Sequence, residues 1–196
     1  MTRPIMEVTK ALEYKLKQAK FFLECLQRGE DEWATACYFS ACIGALRSIP
    51  AYIRAFLEKR NQIPKSKFEG DEAWGKLHGD LCKAMPEVER EVGKWLREVA
   101  NYDIHRSPVE LLKEISGGYF PEGYFPPNYF PKGYFPSPQV SFLVKNPKRS
   151  GEHRNIIEVC NAGISYATNL INQFNKWYQK YGKLRYVTNG QKKSYK

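Results

Sequence analysis

Projected at about 100° per residue, the stretch Val88 to His105 places Arg90, Lys94, Arg97, Asn101 and His105 on one helical face. An apolar stripe of Val88, Val92, Trp95, Val99 and Tyr102 lies opposite. An imidazole takes and gives protons near neutral pH, and a guanidinium holds phosphate oxygens in a fork, so a histidine one turn from an asparagine and next to Arg106 suits work on a phosphodiester. The candidate catalytic residues are therefore His105, Asn101, Arg97 and Arg106, and the candidate nucleic-acid contacts are Arg90, Lys94, Arg97 and Arg106. The competing readings of such a band are a solvated face or a dimer seam.

No other chemistry stands out. His153, in "GEHRN" at the start of the last helix, reads as an exposed first-turn residue, and His78 sits beside an apolar stripe. The five cysteines, Cys25, Cys37, Cys42, Cys82 and Cys160, have no CxxC spacing and read as reduced packing residues. With neither metal-ligand spacing nor a phosphate-cradling glycine loop, no metal and no cofactor is expected. Lysine and arginine number 31 against 21 acids, a net charge of +10 that favours anionic partners. No run approaches a membrane span and the N-terminus has no apolar signal core, so no membrane contact and a cytoplasmic location are expected.

A series of helical patterns along the chain could position the band. Ile5, Val8, Leu12, Ala19, Phe22 and Leu26 make one stripe of a first helix that Gly29 ends. "DEWATACYFSACIGALRSI" is apolar on nearly every face, as a central helix is, and its Ser40, Ala41, Gly44 and Ala45 would admit a close neighbour. Pro50 should kink or break it, leaving "AYIRAFLEKR" as a second arm. "NQIPKSKFEG" reads as a loop before a short helix around Trp74, Leu77 and Leu81. Pro86 opens the band helix. The Ser-x-x-Glu of Ser107 to Glu110 predicts a further short helix to about Ile115. "QVSFLVK" reads as a strand, and Ile157 to Tyr181 forms the last helix, with Gly182 as its stop.

Between these elements residues 117–136 read "GGYFPEGYFPPNYFPKGYFP". A proline every fifth residue forbids a helix, and an odd repeat turns successive tyrosines to opposite faces of any strand. The expected form is a long loop lengthened by duplication. The alternative is a ladder of Tyr119, Tyr124, Tyr129 and Tyr134 on which unpaired bases or a partner's prolines stack.

"LREVANYDIHRS" resembles the signature helix of the HEPN superfamily (higher eukaryote and prokaryote nucleotide-binding domains). The layout of a long first helix, a small-residue helix, the motif helix, an insert and a long last helix is similar over most of residues 5–181. The family's Arg-Asn-x-x-x-His form fits at Asn101 and His105, while its arginine falls on Ala100. The resemblance implies an all-α, HEPN-like helical bundle over residues 1–182; the residues themselves place the repeat loop, 117–138, before the last helix and read as a basic flexible tail at 183–196. The resemblance also implies a homodimer around the motif.

Without the arginine, the expected function is non-catalytic binding of RNA, a nucleotide or a partner protein through the polar face of the motif helix. The alternatives are a metal-independent ribonuclease using His105 with Arg97 or Arg106, and a purely structural dimeric bundle. Position 100 lies at the border of the apolar stripe on the wheel. Ala100→Arg is accordingly expected to cost little stability and to restore cleavage.

Overall fold

The computed structural model describes residues 3–29, 31–65, 67–105, 111–116, 139–146, 148, 151–182, 184–185 and 193–194, with side chains excepted at 3–6, 101–105, 139, 184–185 and 193–194. Five helices dominate: α1 (Arg3–Gln27), α2 (Glu32–Lys59), α3 (Lys67–Lys83), α4 (Glu87–His105) and α5 (Ile156–Tyr181). Strands β1 (Leu111–Ser116), β2 (Gln139–Lys145) and β3 (His153–Asn155) form an antiparallel sheet in that order. Two further two-residue strands, β4 (Leu184–Arg185) and β5 (Lys193–Ser194), pair in the basic tail expected to be flexible.

The central helix is α2, packed against α1, α4 and α5. Asp31 caps it, its side chain accepting from the Ala34 N–H at 3.0 Å, and Phe39, Ile43, Ile49, Ile53 and Leu57 are buried along it. It runs through Pro50 as one helix, so of the expected kink or break the break does not occur: Ile49 and Ile53 on either side are both fully buried, and core packing carries the helix past the missing donor. Among the described residues α2 is long and apolar enough by length and composition to cross a membrane, which corrects the view that no segment approaches a span. Here that apolar character faces α1, α4 and α5.

Of the four small residues expected to admit a close neighbour, Ala45 is buried, while a tight helix contact over a glycine falls at Gly163 of α5. A Cβ there would lie 2.7 Å from Leu46 Cδ1 and 2.8 Å from Leu96 Cδ1, so α2, α4 and α5 meet over bare backbone, whereas a Cβ on Gly44 would have nothing within 4 Å. The first helix ends as expected at Gly29, which takes a φ of +67°. Asn155 caps α5, its side chain accepting from the N–H groups of Ile157 and Glu158. Gln62, buried in the α2–α3 loop, donates to the Gly182 carbonyl at the other end of α5. Lys67 to Gly70, expected to be loop, form the first turn of α3.

Residues 111–116 are a strand where a helix to Ile115 was expected; the capping residues Ser107 to Glu110 lie outside the described residues. A helical segment this short nucleates poorly, while pairing Leu111 with Val144 and Ser116 with Gln139 satisfies its backbone against β2. His153 starts β3 and is exposed there, not in the first turn of α5. The β2–β3 connection is fixed to α4 by Asn146, which is buried, donates to Glu98 Oε2 at 2.8 Å and accepts from the Lys148 N–H at 2.9 Å.

The repeat itself lies outside the described residues, but its two ends, Ser116 and Gln139, are paired neighbours across the hairpin. Shortening the connection therefore leaves both anchors where they are. Deletion of residues 119–133 is expected to change folding stability by about 1 kcal/mol or less, since loop closure varies only slowly with length. Thermal unfolding followed by circular dichroism checks this, and loss of a cooperative transition would refute it.

Candidate functional site: a cationic cleft between α3 and α4

The two faces of α4 have different fates. Val92, Trp95, Leu96, Val99 and Ala100 are buried, because α4 packs on both α2 and α5 and so covers a wider arc than one stripe. Two expectations change as a result. Val88, in the first turn, is 76% exposed, and Ala100, placed at the border of the stripe by the wheel, is 0% exposed.

On the opposite face Arg90, Lys94 and Arg97 line a cleft of about 580 Å³ between α3 and α4. Trp74, Gly75, His78, Gly79 and Cys82 supply the α3 wall, and Tyr166 of α5 supplies the floor. Asn101 and His105 lie in the last turns of α4; their side chains, and the whole of Arg106, are outside the described residues. The structure thus brings three of the expected band residues together, and adds partners from α3 and α5 that the sequence reading left out.

Tyr166 reaches the floor of the cleft because α4 carries no side chain at Gly93, where a Cβ would lie 2.6 Å from the tyrosine ring. Its hydroxyl and His78 Nε2 are hydrogen-bonded at 3.0 Å. Cys82 Sγ lies 3.9 Å from His78 Nδ1 and 4.0 Å from the Tyr166 hydroxyl. Of the cysteines expected to be packing residues, Cys25, Cys42 and Cys160 are buried, Cys82 borders the cleft and Cys37 is exposed.

Burial and the nearby Arg97 charge push His78 down to a pKa of about 4, so its imidazole is neutral at pH 7. Burial first, and then Cys82, holds the Tyr166 phenol above its usual range. The Cys82 thiol is raised by burial, against the opposing pull of its bond to Tyr166 and the charges of Arg97 and Arg90. At neutral pH this is an uncharged floor beneath a cationic wall.

The cations on that wall are not equally engaged. Arg54, at the cleft edge, is held by Glu58 at 2.7 Å and Asp71 at 2.6 Å. Lys94 pairs with Glu91 at 2.6 Å. The side chains of Arg90 and Arg97 have neither a hydrogen bond nor an ion pair among the described residues, and the buried Arg90 Nε has no acceptor. Glu87 is a further acid on the rim. Comparison of the chain with family models, with curated proteins and with solved structures finds no match.

A depressed histidine makes folding sensitive to acid. His78 binds its proton at pH 6.5 when unfolded and near 4 when folded, so stability from this group is present above 6.5 and declines as pH falls between those values. His78→Gln is expected to flatten the acid side of the stability profile. Urea midpoints at pH 7, 6, 5 and 4 check this; an unchanged slope would contradict it.

Proposed function

We propose that this is a HEPN-like helical protein that binds the phosphate of a single-stranded RNA or a nucleotide through the polar face of α4, without cleaving it. The observation that carries the reading is the pair Arg90 and Arg97, facing one cleft without a carboxylate partner among the described residues. A phosphate oxygen completes the bonding of such guanidiniums. The burial of Ala100 bears on catalysis. The position where the resembling family carries its arginine points into the core, so no charge stabiliser stands at that spacing. The far end of α4, around Asn101 and His105, is left for the two-fold contact that the resemblance implies.

The test is titration of a fluorescent single-stranded RNA decamer and of a nucleoside monophosphate at two salt concentrations. Two phosphate contacts on a single strand predict that RNA affinity falls about sevenfold between roughly 50 and 200 mM salt, with the RNA remaining intact. No binding at micromolar protein would sink the reading, and appearance of cleavage products would shift it to the ribonuclease alternative.

A further inference from the structure

The glycines around the cleft are of two kinds. Close packing requires Gly93, against Tyr166, and Gly70, where a Cβ would meet the Pro64 carbonyl oxygen at 2.6 Å. Gly75 and Gly79 have no such reason. A Cβ on either would find no atom within 4 Å, and both lie inside α3, where glycine weakens a helix relative to alanine. Both face the cleft. What glycine provides there is open space against a flat backbone wall.

That wall adjoins two aromatic rings. Trp74 and His78 are one turn apart, as Gly75 and Gly79 are, with ring centroids separated by 5.3 Å. A flat, open wall flanked by aromatic rings suits a planar heterocycle, which stacks on π faces and needs the side-chain-free space. Across the cleft from this wall lies Arg90, whose side chain has no hydrogen-bond or ion-pair partner among the described residues and whose guanidinium suits an anionic ligand. A cleft of about 580 Å³ is within the usual range for a small-molecule site. A ring on one side and an anion on the other is the chemistry of a nucleoside phosphate.

We infer that the α3 wall of the cleft, Trp74 and His78 with the bare backbone of Gly75 and Gly79, seats the base ring of a nucleoside phosphate whose phosphate lies on Arg90 and Arg97. The inference rests on the phosphate reading of the cleft and adds a base subsite to it. A free nucleotide and an unpaired residue of single-stranded RNA share this chemistry, whereas a base paired in a duplex cannot enter.

The experiment compares adenosine 5′-monophosphate, ribose 5-phosphate and a single-stranded RNA decamer with and without its complement. Each is titrated into the wild-type protein, Gly75→Leu and Gly79→Leu. In the wild type the nucleotide should bind about tenfold or more tighter than ribose 5-phosphate, the difference being the stacked base. In the leucine variants that advantage should fall below about twofold, while ribose 5-phosphate affinity is kept. Gly75→Ala and Gly79→Ala, which test folding alone, should each raise the melting temperature by about 2 to 4 °C.

Equal affinity for the two small ligands in the wild type, or an advantage that survives both leucine variants, overturns the base seat and leaves the phosphate reading standing. Failure of both small ligands and of the single-stranded RNA to bind overturns the two together. Binding of the single strand that is lost on adding the complement identifies unpaired RNA as the source of the base, and tight binding of the mononucleotide alone identifies a free nucleotide. Either result supports the seat.

Discussion

Ala100→Arg is expected to lose about 1 to 3 kcal/mol of folding stability or more. The methyl group at this position is 0% exposed, as is that of its neighbour Val99, in the core shared by α2, α4 and α5. An arginine must either open that packing, at about 1 to 3 kcal/mol for the added volume, or leave a guanidinium in an apolar interior at several kcal/mol more. With total stability of a domain near 5 to 15 kcal/mol, a loss of this size moves the unfolding midpoint by a large fraction of its value. The measurement is a urea titration followed by circular dichroism. A variant that folds with wild-type stability and cleaves RNA would show that position 100 reaches the polar face of α4, and would restore the ribonuclease reading.

The difference between the wheel and the fold at Ala100 shows what a single helix can and cannot say. The stripe Val92, Trp95 and Val99 was legible from spacing alone, and all three are buried. Its width was not, because that depends on how many neighbours the helix has: α4 touches α2 on one side and α5 on the other, so burial extends to Leu96 and Ala100. Val88 errs in the opposite sense. It continues the stripe in sequence but lies in the first turn and is largely exposed.

The cleft was half legible for a related reason. Arg90, Lys94 and Arg97 share a face of one helix, and helical spacing reveals such a face directly. His78, Tyr166 and Trp74 come from two other helices, and only the packing of α3 against α5 sets the imidazole beside the phenol. One local signal was present. "WGKLHG" repeats an aromatic ring followed by glycine at a spacing of four, marking a face of α3 that is flat and ring-lined. The strand at 111–116 shows tertiary pairing overriding a local pattern, since the capping sequence before it predicts a helix and β2 supplies a better partner.

Replacing both Arg90 and Arg97 by alanine is expected to weaken binding of single-stranded RNA and of nucleotide by on the order of 10²-fold or more, with little change in folding stability. Each charge-assisted bond to a phosphate contributes about 1.5 to 3 kcal/mol, and two of them lost together give at least that factor. The two residues should not contribute equally. Arg97 is exposed, so water and salt screen its charge, whereas Arg90 is only partly exposed, and Arg90→Ala alone should account for the larger part.

Folding should be indifferent to the change at Arg90, because the buried Nε–H there has no partner to lose among the described residues. Arg97→Ala carries its own signature: Arg97 is one of the two causes that lower His78, so its removal should move the imidazole titration upward from about 4. Calorimetric titration of each single variant and the double variant, with the His78 ring protons followed by NMR across pH, reads both effects. Undiminished binding by the double variant would place the ligand elsewhere on the molecule. An unmoved His78 in a folded Arg97→Ala protein would separate that side chain from the floor of the cleft, leaving Arg90 as the cation on which a phosphate there depends.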